Sequence, residues 1–129
     1  IRNNLSLDPK LRELAMCGVA VLNGAEYEFF HHAPPFIKAG GTEEQVKALR
    51  LIGQPSFPSN LFSAVENDAA ELTFQMTRNI QVDSALMKRL QTALGNIDTV
   101  ELVTVVSAYN MVSRFLIALD VNPEEHPPE

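Results

Sequence analysis

The chain has 129 residues, 46% of them hydrophobic and 20% charged, with a formal net charge of −6 and a pI near 5.0. These are the values of one globular domain long enough to bury a core, and the acidic balance with scattered basic residues excludes the electrostatic footprint of nucleic-acid or anionic-membrane binding. No apolar run reaches the eighteen or more uncharged residues of a membrane span: the longest, residues 100–119, contains Glu101, Asn110 and Arg114.

Chain order then gives a reading that is helical throughout. Asp8-Pro9 supplies an N-cap followed by proline at the first helical position, and Leu11, Leu14, Ala15, Val19 and Leu22 carry an apolar stripe to a stop at Asn23-Gly24. A second helix is predicted over residues 25–39, with Pro34-Pro35 expected to kink or divide it just after His32. Gly40-Gly41 ends it. Thr42-Glu43-Glu44-Gln45 reads as a capping box opening a short third helix to about Leu51. Residues 53–60, with Pro55 and Pro58, read as a loop before a fourth helix over residues 61–79.

Asp83 caps a fifth helix that should end at Gly95, and Asp98-Thr99-Val100-Glu101 resembles a capping box for a sixth running to about Leu119. The sixth is apolar nearly all round, which predicts burial on most sides. Residues 1–119 thus form one helical domain, followed by an acidic, proline-rich tail over residues 120–129 that is expected to be loosely ordered.

One cysteine, Cys17, rules out an internal disulfide and fits a reducing compartment, so a cytoplasmic location is expected. No charged segment followed by an apolar run marks a signal peptide. Because the chain opens at Ile1 without Met, native residues are expected to precede it.

The residues suited to chemistry lie in Asn23-Gly24-Ala25-Glu26-Tyr27-Glu28-Phe29-Phe30-His31-His32. Glu28 and His32 are at i and i+4, so a helix puts a carboxylate and an imidazole side by side, the geometry of general acid/base work. Tyr27 and His31 repeat the spacing alongside, and with Phe29, Phe30, Phe36 and Ile37 around them these polar groups suit the lining of a cavity better than a solvated face. Glu13, on the preceding helix, can converge on the same place. Glu28-x-x-His31 also has half of a di-iron carboxylate motif, but no second copy exists and His126 is in the tail. No metal is expected. Cys17, at i+4 from Glu13, reads as a small buried hydrophobe.

The stretch Leu11-Arg12-Glu13-Leu14-Ala15-Met16-Cys17, then Leu22 to His32 with Ala33-Pro34, then Ala39-Gly40-Gly41-Thr42-Glu43-Glu44-Gln45, resembles the carboxymuconolactone decarboxylase family, which includes the alkylhydroperoxidase D proteins. The resemblance implies an all-α, six-helix bundle of the alkylhydroperoxidase D-like type, assembled as a trimer or hexamer. In the peroxidase branch a Cys-x-x-Cys pair would fall on Ala25 and Glu28, so both thiols are missing and a dithiol cycle has no chemistry to run on. The decarboxylase branch has Glu and His at the positions of Glu28 and His32, as here.

The function expected is therefore a cofactor-free lyase of aromatic-compound degradation acting on a small organic acid or lactone. In it His32 is the acid/base, Glu28 orients it, Glu13 holds a water or shares a proton through a pKa raised by burial, and Tyr27 and His31 contact substrate. The rival readings are a noncatalytic small-molecule-binding or assembly protein on the same fold and, least favoured, a redox activity through Cys17.

Overall fold

The computed structural model describes residues 6–120. Apart from Asp120, the expected loose tail lies outside them. Five α-helices and one 3-10 turn follow in order: α1 Pro9–Asn23, α2 Glu26–Lys38, α3 Glu43–Leu49, the turn Ser59–Leu61, α4 Ala64–Asn79 and α5 Ser84–Ala118, with no strand among the described residues.

Each start has a local cause. Asp8 accepts from the Lys10 amide beneath Pro9, Thr42 and Gln45 cap each other reciprocally, and Ser63 and Glu66 do the same at α4. The Ser63 box sets the beginning of α4 at Ala64 rather than Leu61, the residues before it being tightened into the 3-10 turn. α1 ends at Gly24, whose left-handed φ of 68° closes the helix on the carbonyls of Ala20 and Val21.

α1 is the axis of the fold. It packs against α2, α4 and α5, and its buried residues, among them Leu11, Leu14, Ala15, Met16, Cys17, Val19 and Ala20, go round most of its surface. Leu72 and Ala69 of α4, Leu86, Leu90, Leu102, Val105 and Val106 of α5, and Phe36 of α2 complete the core. Polar ties hold the ends together: Asn23 donates to Asn110 (3.0 Å) and Ser113 (2.8 Å), Asn110 donates to Thr77 (3.0 Å), and Arg78 donates to the Leu22 carbonyl.

Three expectations need correction. α2 runs undivided through Pro34 and Pro35. The two prolines forfeit donors to the carbonyls of Phe30 and His31, but packing of Phe36, fully buried, holds the last turn in place. The expected break between a fifth and a sixth helix is present at Gly95, where φ 83° and ψ 167° are non-helical and α5 kinks between two helical stretches; what needs correction is the start of the second, which follows Gly95 directly instead of beginning at Asp98. Asp98 and Glu101 do not cap a new helix there. They accept hydrogen bonds from the Ser6 hydroxyl and, at 2.7 Å to Glu101, the Ser6 amide, while Thr99 donates back to the Gly95 carbonyl at 2.7 Å.

Finally, α5 is not covered on most sides. Within this chain only one side meets α1 and α4, leaving Ile97, Val100, Met111 and Phe115 exposed. The helix is long and apolar enough by composition to cross a membrane, yet its inner face is the wall of the core and its Asn110 and Ser113 bond to α1.

Candidate active site: an imidazole between two carboxylates

α1 and α2 are antiparallel neighbours joined by the tight Gly24-Ala25 turn, and the register that turn sets brings Glu13 opposite His32. His32 Nδ1 lies 2.8 Å from Glu13 Oε1, and its Nε2 lies 3.3 Å from Glu28 Oε2 one helical turn back. Glu13 is fully buried, His32 3% exposed and Glu28 7% exposed. The Glu13 and His32 side chains touch directly, leaving no space between them for a bridging water. Arg12 Nε donates to the other oxygen of Glu13 at 3.0 Å.

The proton count follows from donor chemistry. Ionised carboxylates only accept hydrogen bonds, and a neutral imidazole donates only one. Two carboxylates on one ring therefore call for an imidazolium. Burial opposes charge on His32, but the hydrogen bonds and charges of Glu13 and Glu28 outweigh it and hold the ring's pKa above its ordinary 6.5. Burial likewise pushes the Glu13 carboxyl up, and here too His32 and then Arg12 prevail, leaving it below its ordinary 4.5. This corrects the expectation of a raised Glu13 pKa: the proton belongs to His32. Glu13, rather than Glu28, is the closer of the two orienting groups.

Tyr109 of α5 meets the His32 ring edge-on, with centroids 5.1 Å apart. His31 stands edge-on to His32 at 5.7 Å, and Tyr27 stacks on His31 at 5.8 Å and 16°. Tyr27 and His31, half-buried, thus flank the pair on α2, and the buried Nδ1 of His31 has no hydrogen-bond partner among the described residues. A cleft of about 580 Å³, lined by Pro9, Arg12, Glu13, Pro34, Pro35, Lys38 and Ala39, reaches the site from its Glu13 end.

Tyr109 and Arg12 are the contributors that sequence reasoning missed. Arg12 adjoins Glu13 in sequence and could have been suspected, whereas nothing local links Tyr109 to α2, more than seventy residues earlier.

Among the described residues no group of three or more His, Cys, Asp or Glu side chains has an arrangement able to hold a metal ion. Cys17 is buried in the core, and burial, with the charge of Glu13 second, pushes its thiol up to about 12. Such a thiol is not a nucleophile near neutrality.

The fold and site define an all-helical protein that buries a histidine between carboxylates contributed by two antiparallel helices. Residues 2–73, more than half of the chain, match the carboxymuconolactone decarboxylase family, and the chain belongs to that family. The match spans α1 and α2, and hence Glu13, Glu28 and His32. Comparison with curated proteins finds no match.

Proposed function

We propose that the protein is a carboxymuconolactone decarboxylase-like lyase, an acid–base enzyme that acts on a small organic acid or lactone without a cofactor. The observation that carries this reading is the imidazole gripped by Glu13 at 2.8 Å and Glu28 at 3.3 Å inside an apolar setting. Structural ion pairs are usually found on surfaces, where they are solvated. A buried proton store beside a cleft is what acid–base catalysis needs.

Loss of carbon dioxide from a substrate carboxylate leaves its bonding pair on carbon as a dienolate-like anion. The imidazolium passes its Nδ1 proton to Glu13, and the Glu13 carboxyl delivers it to that carbon, forming the C–H bond and returning Glu13 to its anion. His32 keeps its Nε2 proton, directed at Glu28, and recovers the other through Glu13, whose carboxylate takes a proton from water in the cleft and passes it to Nδ1. Arg12 and Lys38 put positive charge along the cleft that leads to Glu13, which suits an acidic substrate; Tyr27 and His31 are proposed to contact it. Assembly as a trimer or hexamer and a cytoplasmic role in aromatic-compound degradation belong to the same proposal.

NMR titration of His32 tests it. The ring should stay protonated above pH 6.5, and Glu13→Gln should lower its pKa. With a panel of small unsaturated acids and lactones, Glu13→Gln and Glu28→Gln should each lower turnover by about 10²–10⁴-fold with helical content retained. A ring that is neutral at pH 7 and indifferent to both carboxylates would remove His32 from proton transfer. Ligand affinity unchanged by both substitutions, with no turnover of any member of the panel, would favour the noncatalytic binding reading.

A further inference from the structure

A second cleft, of about 620 Å³, lies between the loop after α3 and the outer face of α4, and none of its lining residues belongs to the Glu13–His32 site. The volume falls within the roughly 300–1,000 Å³ of small-molecule sites. Part of its lining is apolar: Ile52 and Ala70, both buried, and the half-buried rings of Phe57 and Phe74.

Both rings are held. Phe57 stacks on Phe62 with centroids 5.2 Å apart and planes 14° from parallel. Phe74 presses on the backbone of Gly53, so closely that a Cβ there would strike the ring, and Gly53 takes a φ of +81° that side chains rarely adopt. The loop is thus folded onto Phe74 by a glycine that no other residue can replace without strain.

The rim is acidic. Asp68 and Glu71, at i and i+3, line the cleft from α4. Asp68 is paired with Arg89 at 3.2 Å, whereas Glu71 accepts only from Gln75, an uncharged donor at 2.9 Å, and has no cationic partner among the described residues. Asn67 lines the cleft beside them. Its Nδ2 donates to the carbonyls of Ser59 (3.0 Å) and Phe62 (3.3 Å), which fixes the amide with Oδ1 buried and lacking a donor.

Aromatic faces attract cations through their quadrupole, and an unneutralised carboxylate at the rim selects the same charge. The acid side chains and aromatic walls disfavour anions, and the chain's net charge of −6 acts in that direction at long range. We propose that this cleft binds a monovalent organic cation with an apolar body, an alkyl- or trialkylammonium compound, its charge beside Glu71 and its carbon atoms against Phe57 and Phe74.

The test uses the full chain and two probes of equal shape, choline and its neutral carbon isostere 3,3-dimethylbutan-1-ol, followed by amide chemical shifts. Choline should produce saturable shifts at Gly53, Gln54, Glu71 and Phe74, with the alcohol binding at least about threefold more weakly. Glu71→Gln should erase most of that preference. Arg89→Gln, which releases Asp68, should tighten choline binding, an effect opposite in sign to any loss of fold stability. Equal binding of the two probes, choline shifts that map elsewhere or do not saturate, or indifference to both substitutions would overturn the proposal. None of these outcomes bears on His32, whose titration tests the lyase reading separately.

Discussion

His32 and its two carboxylates make the stability of the protein depend on pH in a direction that can be worked out group by group. The folded pKa of His32 lies above 6.5, so the stabilisation it brings is complete below 6.5 and is lost as pH rises through the folded value. Glu13 is shifted below 4.5; its contribution is complete above 4.5 and is lost as pH falls through the folded value. Both are intact between 4.5 and 6.5, and the melting temperature should peak in that window. His32→Asn should flatten the alkaline limb of a melting-temperature profile, and an unchanged alkaline slope would contradict the assignment of the proton to His32. Cys17 gives a second prediction at this scale. With its thiol buried and pushed up to about 12, the native protein should react with a thiol reagent only at its rate of opening. Peroxide consumption that requires reductant and vanishes in Cys17→Ser would show instead that the thiol is catalytic.

Among the elements, α2 carries the site and is held at its C-terminal end by a feature outside the chemistry. Phe36 fills the space beneath Gly41, where a Cβ would collide with the ring. Gly41→Ala should therefore cost about 1–3 kcal/mol, the usual scale of overpacking, read as a lower denaturation midpoint with the slope unchanged. The following capping box is a milder case. Thr42→Ala removes the acceptor for the Gln45 amide, 3.0 Å away, and should cost roughly 0.5–2 kcal/mol. If Gly41→Ala proved no worse than Thr42→Ala, the contact between Phe36 and the Gly41 backbone would not be limiting the packing of α2.

For the whole molecule the unresolved demand is the outer face of α5. Ile97 (74% exposed), Val100 (63%), Met111 (69%) and Phe115 (64%) recur at helical spacing along one stripe. Between them Thr104 and Ser107 direct their hydroxyls to the carbonyls of Val100 (2.8 Å) and Val103 (2.9 Å), so the stripe presents few polar groups that would lose water on being covered. Contiguous apolar surface of this kind marks association sites. Light scattering should report a trimer or hexamer, and Met111→Lys combined with Phe115→Glu should dissociate it. A monodisperse wild-type monomer at micromolar concentration would reject the assembly.

The helical class, most starts and stops, and the pairing of Glu28 with His32 were legible in the amino-acid order, because caps, turn glycines and i, i+4 neighbours are interactions between residues a few positions apart. Family membership was legible for the same reason, its signature being concentrated in α1, α2 and the turn after them. The tertiary structure decided what depends on distant partners. It carried α2 through two prolines, began the last helical stretch directly after Gly95 instead of at Asp98, diverted Asp98 and Glu101 from capping to Ser6, and laid Tyr109 against His32. It also decided the charge of the site. Burial alone raises the pKa of a carboxyl and lowers that of an imidazole; the approach of Glu13 to His32 across nineteen residues, with Arg12 behind the carboxylate and Glu28 on the ring's other nitrogen, reverses both.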